Sequence, residues 1–428
     1  MYRRLLIFKT KVLMKLLRLM GKNGSALPGL IIEKLYPNFL YKVLKSSEKK
    51  IILVTGTNGK TTTTKMLVAG LRASGLNIVT NSTGSNMTRG LIAALIEDMT
   101  YFGSLRPTDW FVFEMDEAYA PIFTAQLSPR LLVGLNVLRD QLDRYGEIDT
   151  TAKLIEKTAL KCDNFVYSAL DPLLASVAEA LSAKNRPVFS FGVSKTLLPQ
   201  VMNEQSTHGS QVVQLKPDFV LESAVESNIS QKLKIIYDSQ KVVMGIPVKG
   251  FHNALNALAA YGTLTQLLPS EVALSQALSG VTKMPTPFGR GERLQINDKN
   301  ITVALVKNPS GFATNLTTFV EQAKPDVVLL VVNDQFADGR DVSWLWDVDF
   351  SSKIPKNTTL YVSGIRRYDM TLRLKHDGLE SEVETTIPRI IEKILRSNHK
   401  NIVIIPTYTA LFEVRSALAK HGKVPRIW

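Results

Sequence analysis

Four apolar residues, Ile51 to Val54, lead into Thr55-Gly-Thr-Asn-Gly-Lys-Thr-Thr62. A buried strand that turns through glycines into a helix N-terminus makes a cradle for phosphate. Gly56 and Gly59 let the backbone approach an anion closely. Lys60 supplies a compact positive charge, and the Thr61 hydroxyl can ligate Mg²⁺. Gly56, Thr57, Asn58, Gly59, Lys60, Thr61 and Thr62 are thus candidate nucleotide-binding residues. The loop is two residues shorter than the usual nucleotide-binding pattern, because the glycine expected five positions before Gly59 falls on Val54.

Other clusters fit the same chemistry. Glu114 closes the run Trp110-Phe-Val-Phe-Glu114, and a carboxylate at that strand end can hold Mg²⁺ against nucleotide phosphates. Asp116 and Glu117 crowd it, which favours a cation. Asn253 and Asn256 are three apart at a helix start and share a face. Their amides suit a purine edge or ribose, and helix capping is the other use for Asn253. Arg290 and Arg293 follow the proline-rich linker Met284-Pro-Thr-Pro-Phe-Gly289, where a cation can reach a nucleotide. Asp334, Asp338, Arg340 and Asp341 form a dense charged loop between an apolar run and Trp344, which is hard to explain as a mere connector.

These residues need a scaffold, and the chain of 428 residues is long enough for two or three domains. Apolar runs alternate with helical periodicity, which predicts a mostly parallel α/β sheet covered on both faces, with ligands at the strand C-termini. The second helix is expected over 29–44. The polar stretch at about 194–241 reads as antiparallel strands on an excursion from the sheet, at Gln211–Leu215, Phe219–Leu221 and Leu233–Tyr237. The βα rhythm restarts after the linker, with strands expected at 301–306, 327–332, 360–363 and 402–405. The expected division is a basic helical segment over 1–48, a nucleotide-binding domain over 49–285 and a C-terminal α/β domain over 286–428.

A net charge of +14 favours a polyanionic partner, and the lone Cys162 excludes an internal disulfide framework. The first twenty residues carry Arg3, Arg4, Lys9, Lys11, Lys15 and Arg18, so no apolar run is long enough to cross a membrane. They read as a basic amphipathic helix. Its apolar stripe can pack on the protein body, its basic rim can meet an anionic bilayer, or both.

Together these blocks resemble the Mur ligase superfamily, which includes the folylpolyglutamate synthases. The short loop at 55–62 is similar to its ATP signature, Gly250-x-His252-Asn253-x-x-Asn256 to its second motif and Gly289-Arg290-Gly-Glu-Arg293 to its third. Leu27-Pro-Gly29, Phe113-Glu-Met-Asp-Glu117, the block 139–149, Lys307-Asn-Pro309 and Asp338-Gly-Arg-Asp-Val-Ser-Trp344 resemble one branch more closely, the MurT-type subunits of lipid II isoglutaminyl synthase. The fold implied is a Mur ligase-like central ATPase domain plus a C-terminal Rossmann-like α/β domain, without a uridine-nucleotide domain ahead of the loop.

The resemblance implies an ATP- and Mg²⁺-dependent ligase acting through an acyl phosphate. Lys60, Thr61, Glu114, Asn253, Asn256 and Arg290 would serve ATP and metal. The substrate would be the α-carboxylate of D-glutamate in the lipid II stem peptide, and the ammonia would come from a GatD-type glutaminase partner. Asp341 would complete that partner's Cys–His pair, and no nucleic acid is implied. The location implied is cytoplasmic, with contact at the inner face of the membrane left open. Many members carry a four-cysteine zinc ribbon, but 194–241 contains no cysteine, so no zinc is expected. Gln141 stands where ordinary Mur ligases place a histidine metal ligand. Lys153 lies near their carbamylated lysine and reads equally as a surface lysine. The alternative activity is that of an autonomous amino-acid ligase of the folylpolyglutamate synthase type. A non-enzymatic ATP-binding scaffold fits poorly with intact Lys60, Thr61 and Glu114.

Overall fold

The computed structural model describes residues 2–19, 26–81, 87–138, 148–201, 214–227, 230–285 and 289–425. The chain divides into two compact units, with the main boundary between Met284 and Pro285.

In the first unit the strands are β1 (Ile51–Thr55), β2 (Ile78–Thr80), β3 (Trp110–Glu114), β4 (Leu131–Gly134), β5 (Asn164–Ser168), β6 (Val188–Val193), β7 (Phe219–Glu226), β8 (Gln231–Tyr237) and β9 (Gln240–Ile246). They form one sheet in the order β2-β3-β1-β4-β5-β6-β7-β8-β9. Pairing is parallel from β2 through β7 and antiparallel from β7 to β9. β1 is buried at every position, as expected of a central strand covered on both faces.

Two expectations change here. The strands of the polar stretch are not an excursion: β7 pairs in parallel with β6, aligning Phe191 with Phe219, so they extend the main sheet. Within Gln211–Leu215, only 214 and 215 are described, and they are not in a strand. The Gln214 side chain imitates one instead, donating to Val193 O at 2.5 Å and accepting from Val193 N–H at 3.1 Å. The helix expected over 29–44 is two helices, Ala26–Leu35 and Phe39–Leu44. Pro37 lies between them, where it cannot continue a helix. Ile7, Met14, Ile32, Phe39 and Leu44 join the same core as Ile51, Leu53, Phe111 and Phe113, so this N-terminal region is packed on the sheet's first strands.

The second unit contains β10 (Arg290–Ile296), β11 (Lys299–Ala304), β12 (Val327–Val331), β13 (Thr359–Ser363), β14 (Glu382–Val383) and β15 (Asn401–Pro406), in the order β10-β11-β15-β12-β13-β14. All pairings are parallel except the β10–β11 hairpin. Alternate residues separate to the two faces. Val327, Leu329, Val331, Ile402 and Ile404 enter one core, while Val328, Leu330, Val403 and Ile405 enter the other. That is the two-sided burial of an α/β sandwich. β10 was not expected as a strand. It carries the Gly289–Arg293 block, its Leu294 and Ile296 are buried while Arg293 and Gln295 are exposed, and a bulge lies between Arg290 and Glu292. Glu292 pairs with Arg415.

Candidate active site

The sheet brings the phosphate loop and the acidic strand end together. Glu114 is paired with Val54 in register, directly beside the start of the loop, and Gly134 is paired with Thr55 on the other side. Gly56 and Gly59 both have positive φ, at 127° and 92°. A Cβ on Gly56 would lie 2.9 Å from the Asn136 backbone, and one on Gly59 would lie 2.2 Å from Asn256 Oδ1. Neither position can hold a larger residue without displacement. Asn256, on the helix Phe251–Leu267, therefore lies against the loop, and its Nδ2 donates to Asn253 Oδ1 at 3.3 Å.

The loop is braced by Asn136. Asn136 O accepts from Thr57 N–H at 2.9 Å, its Oδ1 accepts from Asn58 N–H at 2.8 Å, and its Nδ2 donates to Asn58 O at 3.1 Å. Asn81 clamps the acidic strand end in the same way, donating to Glu114 O at 2.8 Å and accepting from Glu114 N–H at 3.0 Å. Asp171 accepts from Val137 N–H while capping the helix Pro172–Ser182. Asn81, Asn136 and Asp171 had no assigned role from sequence. Their position after strands was the available signal.

Glu117 makes the central polar contact. Its Oε1 accepts from Gly56 N–H at 3.0 Å and from Lys60 Nζ at 2.9 Å, and Lys60 also donates to Gly56 O at 2.5 Å. Two donors of the loop thus converge on one anionic oxygen, as an anion cradle requires. Glu114, Asp116 and Glu117 are all buried within four residues, a concentration of carboxylates that a nearby cation would relieve. Among the described residues no group of three or more His, Cys, Asp or Glu side chains is arranged to hold a metal. Mg²⁺ commonly uses one or two protein carboxylates and completes its shell with phosphate oxygens and water. Glu114 is buried and Thr61 half-buried, and these two could contribute to such a shell.

Arg290 opens β10 in the second unit. Lys153 is exposed on the helix Ile148–Ala159, and Gln141 lies outside the described residues. Cys162 is 1% exposed in the first core, and burial pushes its thiol up.

The charged loop of the second unit is anchored at its base. Asp338 is buried and accepts from Gln335 N–H at 3.0 Å, Thr409 N–H at 2.7 Å and Thr409 Oγ1 at 2.5 Å. Asn333 N–H donates to Thr407 Oγ1 at 2.9 Å, and Asn333 Oδ1 accepts from Ile365 N–H at 2.9 Å. Asp334 pairs with Arg366 at 2.9 Å. Asp341 stays partly exposed and accepts from Ser343 N–H at 2.8 Å. Phe336, on the same loop, is 90% exposed.

Comparison with known proteins agrees with this architecture. Residues 54–264 match the Mur ligase middle domain, and residues 305–411 match the MurT ligase C-terminal family. The chain is 30% identical to the lipid II isoglutaminyl synthase (glutamine-hydrolyzing) subunit MurT of Staphylococcus aureus, over 95% of each chain. It is 29% identical to the subunit of the same name from Streptococcus pneumoniae, over 93% of each. In fold it resembles MurF from Acinetobacter baumannii, with a TM-score of 0.68 at 17% identity over 89% of this chain and 78% of that one. It also resembles the Mycobacterium tuberculosis folylpolyglutamate synthase complexed with ADP and AMPPCP, with a TM-score of 0.62 at 15% identity over 93% and 99% of the two chains. The chain belongs to the MurT family of the Mur ligase superfamily and is an ATP-dependent ligase.

Proposed function

We propose that this chain amidates the α-carboxylate of D-glutamate in the lipid II stem peptide, giving D-isoglutamine with ammonia from a GatD-type glutaminase in a heterodimer. The observation that carries this is the state of Cys162. A glutaminase of that type needs a reactive thiolate, and the one cysteine of this chain is buried with its thiol raised. Cys162 is thus unsuited to release ammonia from glutamine, which supports an outside source of nitrogen. The curated relatives matched over nearly their whole length are named as glutamine-hydrolysing synthase subunits.

ATP would bring the transferable phosphoryl group, and Mg²⁺ would neutralise charge on its oxygens. Lys60 and the loop N–H groups would bind the phosphates. Glu114 and Thr61 would hold the metal, with Asn253, Asn256 and Arg290 contacting the nucleotide. A substrate carboxylate oxygen attacks the γ-phosphorus and ADP leaves. Ammonia then attacks the acyl carbon, the carbon–oxygen bond to phosphate breaks, and the nitrogen loses a proton. Asp341 would orient the partner's imidazole, the usual task of a carboxylate beside a catalytic histidine. We assign no zinc to the cysteine-free strands β7–β9. The lipid-linked substrate would bring the reaction to the cytoplasmic membrane surface.

The test supplies lipid II, ATP, Mg²⁺ and amide-labelled glutamine to the purified chain with and without its glutaminase. Label should enter lipid II only when both proteins are present. Equal labelling by the chain alone would refute the external ammonia source.

A further inference from the structure

The helix Tyr2–Leu19 uses one line of side chains for packing and leaves another outside. Ile7, Thr10 and Met14, at three- and four-residue spacing, are buried. Phe8 and Val12, four apart on a different line, are 47% and 40% exposed. Core packing explains the first line and not the second. A second element meets the exposed one. The loop after the helix Thr88–Asp98 presents Tyr101 and Phe102, 52% and 77% exposed. The Phe8 and Tyr101 rings are 5.9 Å apart. Lys11 ties the elements together, donating to Glu97 O at 3.0 Å with its Nζ 5.3 Å from the Tyr101 ring centroid.

The rim is basic. Lys9, Lys15 and Arg106 are exposed, and no Asp or Glu precedes Glu33 in the chain. Of the nearby acids, Asp98 is partly buried and interacts with Arg106 and Lys11, and Glu97 is exposed. An apolar, aromatic centre within a cationic rim matches the boundary between acyl chains and anionic headgroups. Aromatic rings settle at that depth, and lysines add attraction to anionic lipid.

We propose that Phe8, Val12, Tyr101 and Phe102, with Lys9 and Lys15, form a docking surface for anionic phospholipid. No helix among the described residues is long and apolar enough to cross a membrane, so this contact is peripheral. The surface is independent of the catalytic residues and would stand if the proposed reaction failed.

The test is co-sedimentation of the full chain with vesicles of phosphatidylglycerol and phosphatidylcholine in equal parts, against phosphatidylcholine alone. Binding is expected to the anionic vesicles, falling as salt is added. Lys9→Glu/Lys15→Glu and, separately, Phe102→Ser should each weaken it by about tenfold or more, with the melting temperature and ADP binding unchanged. These positions are exposed, so folding should persist. Absence of binding to anionic vesicles, equal binding to neutral ones, or binding that either variant leaves intact would overturn the proposal. Preferential binding to duplex DNA with vesicles left unbound would overturn it too. Amidation of lipid II in detergent, without vesicles, reports on the reaction separately.

Discussion

Lys60 Nζ lies 2.9 Å from Glu117 Oε1, and both side chains are almost fully buried. The cation proposed to bind phosphate is held by a neighbouring carboxylate that also accepts from Gly56 N–H. Burying this pair without further hydrogen bonds would be costly, and the loop backbone supplies them. On the proposed nucleotide role, Glu117 would compete with an incoming phosphate for the same donors. Glu117→Gln should tighten binding of Mg²⁺-free ADP by about threefold to tenfold, since one charge in a half-screened site is worth on the order of 1 kcal/mol. Titration calorimetry measures this. Unchanged or weaker binding would mean that the carboxylate does not compete.

Gly59 and Asn256 make the second contact on which the site depends. Gly59→Ala combines a positive φ with an overlap on Asn256 Oδ1 and should cost at least about 2 kcal/mol of stability. Adding Asn256→Ala should restore part of the loss and leave the backbone strain. Denaturant melts of the single and double variants test this coupling. Strict additivity would count against the contact.

Much of this centre was legible from sequence because phosphate chemistry constrains residue types over a short span. Glycines, Lys60 and Thr61 stand next to each other in the chain, and Glu114 closes an apolar run of strand length. The bracing amides of Asn81 and Asn136 were not legible, since only the parallel register places them beside the acidic strand end and the loop. The register of β7 was hidden for a similar reason. A short half-buried strand reads alike as part of a separate hairpin or as a sheet extension, and the partner strand decides. β10 was masked by Gly291 and by charges that resemble a linker, although Leu294 and Ile296 alternate in the strand period.

Asp326 gives a pH signature in the second unit. Its carboxylate accepts from Asn401 N–H and Lys400 N–H, at 2.9 Å each, and these bonds hold its pKa below the usual carboxylate range. A depressed folded-state pKa contributes stability above the unfolded value of about 4, and that contribution is lost as pH falls through the folded value. The stability gap between wild type and Asp326→Asn should therefore be largest at neutral pH and close in acid below about pH 4. A gap that widened in acid would contradict the assignment.

Asp341 is held on a loop anchored by Asp338 and is itself partly exposed. With the proposed glutaminase partner, Asp341→Asn should lower glutamine-dependent amidation by at least about a thousandfold, as loss of an orienting carboxylate does. Turnover with high ammonium should stay within a few-fold of wild type. Equal loss with both nitrogen sources would place Asp341 in the ligase centre instead.

The most direct measurement is the mass of lipid II after incubation with ATP, Mg²⁺, the chain and the proposed glutaminase partner, glutamine and a mixture of free amino acids. Exchange of an acid for an amide lowers the mass slightly, and that decrease, confined to the D-glutamate α-carboxyl, is the predicted result. A mass increase equal to an added amino-acid residue would instead show an autonomous amino-acid ligase and contradict the proposed function.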